Sequence, residues 1–356
     1  MNHLRLVCLL SLSFLLFSLN ARARTPADLQ FIPADANIVC QVDIERASKA
    51  QVFKELFKSV LADDKTRQFV ELLRSELGLS LPADLKRVTF GSSIGRDGPK
   101  NTIGVFDTKV PASRIFEKIQ TAAKSGQKAC MEAGGTPKTC TQLKRRKKRG
   151  RVVLEMGETG LTLLEERLLF GSPTKALYSN KALGRRTARK SKSVLKSRQF
   201  KNPLKEVSSE DTAWCVGRFS KAMRAMMKEK GQTDLRGLKH ALFGVDTRAG
   251  LKVKLLFVST AETARRLKSK TDGQWKQLFK SPMVRLMGLA AFESALKTTA
   301  NKARFELVID LDEAQASRLQ AVMTAMLQRQ RANQPGVRRP PTSISPPPGG
   351  KIRTTP

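Results

Sequence analysis

The sequence predicts an α+β protein of two tandem ferredoxin-like (β-α-β-β-α-β) units with antiparallel sheets, a basic linker and a disordered C-terminal tail. Three observations predict it. Strand and helix patterns run in the same order in both halves of the chain. The run VTFG at 88–91 has a counterpart, ALFG, at 241–244, each one residue after a Leu-Lys pair. Phe90 and Phe243 are 153 residues apart, and so are Arg151 and Arg304.

In the first half, residues 36–44 (ANIVCQVDI) read as a strand, followed by a helix with Val52, Phe53, Leu56, Phe57 and Val60 on one face. A second helix over 66–77 carries Phe69, Val70, Leu72, Leu73 and Leu77, and stops at Gly78. Strands at 85–91 and 102–108 flank a Gly-rich turn. Pro111 opens the next helix, whose inward residues are Ile115, Phe116 and Ile119. Residues 151–156, 161–164 and 168–170 are further strands.

The second half follows suit: a strand at 212–219, a helix at 221–230 and paired strands at 238–245 and 251–259. A helix from 261, a strand at 304–311 and a helix at 313–328 complete it. The expected organisation is a signal peptide (1–23), a first α+β domain (24–184), a linker (185–207), a second α+β domain (208–330) and a Pro/Arg-rich tail (331–356).

Residues 1–5 are short and basic, residues 6–19 form an apolar run, and Ala21-Arg22-Ala23 supplies small residues at a cleavage site. This is the layout of a secretory signal peptide. Fourteen apolar residues fall short of the roughly 20 that span a bilayer. The expected location is therefore the periplasm or the extracellular space. Losing Arg5 and Arg22 takes the formal charge only from +35 to +33.

Export permits disulfides. Cys130 and Cys140 flank the Gly/Pro-containing segment CMEAGGTPKTC, and a local bridge between them is expected. Cys40 and Cys215 lie in apolar strand-like runs and read as small buried hydrophobes. No CxxC or Cys/His cluster exists, so no metal or other cofactor is expected.

The chain holds 66 Lys and Arg against 31 Asp and Glu. The sharpest concentration is Lys144, Arg145, Arg146, Lys147, Lys148 and Arg149, then Arg151, seven of eight residues. The plain reading is a solvated loop leading into a strand; the functional one is a polyanion-binding array. A second basic segment holds Arg185, Arg186, Arg189 and Lys190, within a stretch from 167 to 205 that has twelve cations and no acid. The expected partners are lipopolysaccharide, acidic glycan, nucleic acid or an anionic membrane face. One Tyr and Phe residues at core spacing supply no stacking array for sequence-specific nucleic-acid reading.

Residues 91–95 (GSSIG) match the GxSxG nucleophile pattern, but they lead into a turn and strand rather than a helix. His240 is the one His beyond the signal segment, and a Ser93–His240 hydrolase is the third reading. Asp43, Glu45, Asp107 and Asp310 sit at strand ends near Lys or Arg, with no catalytic carboxylate spacing. Met223, Met226 and Met227 form a helical stripe, core by default. The second reading is an envelope scaffold that docks a protein partner on this stripe or on a sheet face.

The segment Phe31-Ile32-Pro33-Ala34-Asp35-Ala36, leading into a strand with Val42-Asp43, resembles uncharacterised exported bacterial proteins. Those proteins open with Pro-Ala-Asp-Ala, a strand and an amphipathic helix, and often have a duplicated α+β body. The resemblance implies no activity and no site residues.

Overall fold

The computed structural model describes residues 27–95, 98–136, 143–148, 151–179, 193–229, 237–286 and 288–332. Residues 1–26, 180–192 and 333–356 lie outside them, so the expected signal peptide, most of the expected linker's basic stretch and nearly all of the expected tail fall there. In chain order the first half contains β1 (Ile38–Asp43), α1 (Gln51–Leu61), α2 (Asp64–Leu77), β2 (Leu85–Gly95), β3 (Gly98–Thr108) and α3 (Ala112–Glu132). β4 (Leu143–Lys148), β5 (Arg151–Met156), β6 (Thr159–Leu164), β7 (Arg167–Ser172) and α4 (Arg198–Lys205) follow. The second half contains β8 (Ala213–Arg218), α5 (Lys221–Glu229), β9 (His240–Asp246), β10 (Leu251–Val258) and α6 (Ala261–Lys280). β11 (Leu296–Asn301), β12 (Arg304–Leu311) and α7 (Glu313–Ala332) complete it.

The expectation of two ferredoxin-like units is overturned. Among the described residues all named strands belong to one 12-stranded antiparallel sheet, in the order β11-β12-β10-β9-β8-β1-β2-β3-β7-β6-β5-β4. In a ferredoxin-like unit the last strand returns beside the first. Here β7 pairs with β3, and β1 instead gives its free edge to β8. The physical reason is edge removal. Either half alone would leave an apolar strand with unpaired backbone groups, and joining β1 to β8 satisfies both edges at once.

The halves correspond outward from that seam. Cys40 is paired in register with Phe90, then Gly104, then Phe170; Cys215 is paired with Phe243, then Leu255, then Leu307. Phe90 and Phe243 are thus equivalent positions. Arg304, three residues before Leu307, corresponds to Arg167 on β7 rather than to Arg151 on β5. β5 and β4 extend the first half beyond this correspondence.

Alternation along each strand sends side chains to two layers. On one face Val39, Val105, Leu169, Trp214, Val216 and Leu242 pack beneath Leu29, Phe31, Ile32, Leu177, Val194 and Phe200. Close approach needs Gly91, where a Cβ would lie 2.2 Å from Ile32 Cγ2. On the opposite face α3 sets Ile115 and Phe116 against Leu154, Leu161 and Leu168. α6 covers the other wing of that face, Ala264 against Phe305 and Leu307. α2 is capped at both ends: Asp63 accepts from the Thr66 N–H, and Gly78 closes the helix at φ 65°.

Candidate functional site

β4 (LKRRKK) carries five cations in six residues and ends the sheet. Nothing in its composition suggests a strand. It forms because β5 needs an outer partner, and all six β4 residues pair in register, from Leu143↔Met156 to Lys148↔Arg151. Same-face neighbours on a strand are about 6.8 Å apart. Two charges at that distance repel by only about 0.6 kcal/mol in water, so a backbone ladder outweighs the repulsion.

Arg145 lies opposite the buried Leu154, so Leu143, Arg145 and Lys147 share the face that α3 covers. Lys144 and Arg146 project to the other face. The side chains of Lys144, Arg145, Arg146 and Lys147 are exposed. Arg146 is tied down, its Nε 3.0 Å from Glu155 Oε2. Among the described residues no carboxylate pairs with Lys144, Arg145 or Lys147. The array therefore presents uncompensated charge along an open edge.

Beneath Arg146, Tyr178 donates its hydroxyl hydrogen bond to Glu155. Burial and the adjacent Glu155 carboxylate push the phenol pKa up to about 12, with Arg146 opposing. Burial likewise lowers the pKa of the Arg151 guanidinium, against the pull of Glu165. A cleft of about 630 Å³ opens beside Glu155, lined also by Lys100, Thr102, Glu158, Ser172, Thr174 and Lys175. Two ammonium groups and two carboxylates leave it without a dominant sign.

The other sequence-derived residues fall elsewhere. The backbone of Lys148 ends β4, and Arg151 opens β5. Arg149, Arg185, Arg186, Arg189 and Lys190 lie outside the described residues. Cys130 is disulfide-bonded, while Cys140, its expected partner, also lies outside them. The reading of Cys40 and Cys215 as unbridged is corrected: they form a disulfide, with Cα atoms 4.0 Å apart. Each sits at the same register position in its half, and the β1–β8 seam brings the two face to face.

Ser93 and His240 do not meet. β1 and β8 lie between β2 and β9, so three interstrand steps of about 4.8 Å separate the two backbones, roughly 14 Å. Residues 91–95 remain in β2, which stays paired with β3 through a register shift between Ser93 and Ile94. Three of the four candidate carboxylates, Asp43, Asp107 and Asp310, are engaged structurally, and Glu45 is exposed. Asp43 accepts from the Arg46 N–H, and Asp310 pairs with Lys252 at 3.3 Å. Arg167 bridges the buried Asp28 at 3.0 Å and Asp107 at 3.2 Å, which pins the 27–31 turn to the sheet. Met223 and Met227 are half-buried on α5; the side chain of Met226 lies outside the described set.

Among the described residues no cluster of three or more His, Cys, Asp or Glu is placed to hold a metal. Among the same residues no helix is long and apolar enough to cross a membrane.

No protein-family profile and no curated relative matches the chain. Among solved structures it has a weak likeness to TP0453. Crystal form I is 9% identical with a TM-score of 0.38, covering 85% of this chain and 98% of that one. Crystal form III is 8% identical with a TM-score of 0.40, covering 83% and 97%.

Proposed function

We propose that this is an exported, non-enzymatic protein that binds anionic polymers or surfaces, with β4 as the contact. The observation that carries the reading is the uncompensated charge on the outermost strand of the sheet, Arg145 and Lys147 on one face and Lys144 on the other. The paired strand holds the backbone of these cations in place, so less backbone entropy is lost on binding than from a flexible tail. Arg185, Arg186, Arg189 and Lys190 add charge of the same sign within the chain. The signal-like layout of residues 1–23 and the Cys40–Cys215 bridge support export. In that setting lipopolysaccharide and acidic glycan are the leading ligands, with nucleic acid equivalent in charge.

The test is binding of the full chain to lipopolysaccharide, an acidic glycan and duplex DNA over a salt series. Affinity for DNA is expected to fall about 10³-fold between 50 and 200 mM salt if about six phosphates are engaged. Salt-independent binding, or none to any of the three, overturns the reading.

A further inference from the structure

We propose that β4 also accepts an acidic, extended peptide as an added strand. The molecule supplies its own comparison. Its sheet ends in two edge strands, β4 at one end and β11 at the other. β11 (LKTTAN) has a single cation, Lys297, whereas β4 (LKRRKK) has five. One lysine is a recognised way of keeping an edge from pairing with its own kind. Five cations exceed what that protection requires and give the edge a sign.

That sign selects the occupant. A second copy of β4 would set like charges directly opposite one another, which destabilises a strand pair. A strand with Asp or Glu at alternate positions would set opposite charges against the cations of one face, such as Arg145 and Lys147, at the same-face spacing of about 6.8 Å. Backbone hydrogen bonds would supply affinity and the cations would supply selection, as in other cases of strand addition. Among the described residues no strand pairs with the outer side of β4. The inference does not rest on polymer binding, because it requires a backbone ladder that a polysaccharide or nucleic acid cannot form.

The experiment uses the full chain and a labelled peptide of alternating Glu and Thr, roughly eight residues long. A second peptide has the same sequence and charge but alternate backbone amides methylated. The unmethylated peptide is expected to bind at least about tenfold more tightly and to slow amide hydrogen exchange across residues 143–148. A Lys144→Glu/Arg145→Glu/Lys147→Glu variant with an unchanged melting curve is expected to lose this binding. Equal affinity for the two peptides, unaltered exchange in β4, or no peptide binding overturns the inference. Retained DNA or lipopolysaccharide binding alongside any of those results leaves the polymer reading standing.

Discussion

Cys40 and Cys215 face each other directly across β1 and β8, the strand pair that joins the two halves of the sheet, and a disulfide closes the contact. The bridge spans 175 residues of sequence, so it restricts the unfolded chain strongly. A Cys40→Ala/Cys215→Ala variant is expected to lose about 2–5 kcal/mol of stability in urea denaturation. An unchanged midpoint would mean that backbone pairing alone holds the seam.

One residue further along, Gln41 bridges the seam on the other face. Trp214 Nε1–H donates to Gln41 Oε1 at 3.0 Å, and Gln41 Nε2–H donates to Thr89 Oγ1 at 3.1 Å. Gln41→Leu leaves a buried indole N–H and a buried hydroxyl without these partners. The expected loss is about 1–3 kcal/mol, measured by denaturation with Trp fluorescence as the probe. A variant as stable as the parent would show that the pair contributes nothing net.

Tyr178 is the chain's single tyrosine, so its phenolate absorbance reports one group. The native midpoint is expected near 12, and the unfolded one near the ordinary 10.0. Between those values the native state holds a proton that the unfolded state has lost, so this group's stabilising effect fades as pH rises from 10 to 12. Glu155→Gln removes the carboxylate and is expected to lower the native midpoint. A midpoint unmoved by that change contradicts the assigned contact.

Burial lowers the pKa of His240; Glu206 opposes that shift, while Arg304 and Lys239 reinforce it. As pH falls through 6.5 the unfolded chain takes up a proton before the native imidazole does. Stability therefore drops on acidification across that window and levels off below the folded pKa. Denaturation curves from about pH 5 to 7.5 are expected to show a smaller drop for His240→Gln than for the parent. Parallel curves would place His240 in solvent.

The local elements were legible where periodicity carries the signal. The strand at 304–311 and the helix stop at Gly78 match the structure. The topology was not, because the alternation in IVCQVD reads the same for a central strand as for an edge strand. β4 was hidden for a different reason: its strand state comes from the needs of β5 and not from its own side chains. The Cys40–Cys215 bridge had one usable signal, a cysteine at the corresponding place in each half. The basic run itself was plain in the sequence, and the structure adds the edge that displays it.

The most direct test of that display is the salt dependence of duplex DNA binding, compared between the parent and Lys144→Glu/Arg145→Glu/Lys147→Glu. If three phosphate contacts are lost, the slope of log K against log salt is expected to flatten by about 2.7, with affinity reduced at low salt and the melting curve unchanged. A variant with the parent's slope and affinity would contradict the account and move the binding surface away from β4.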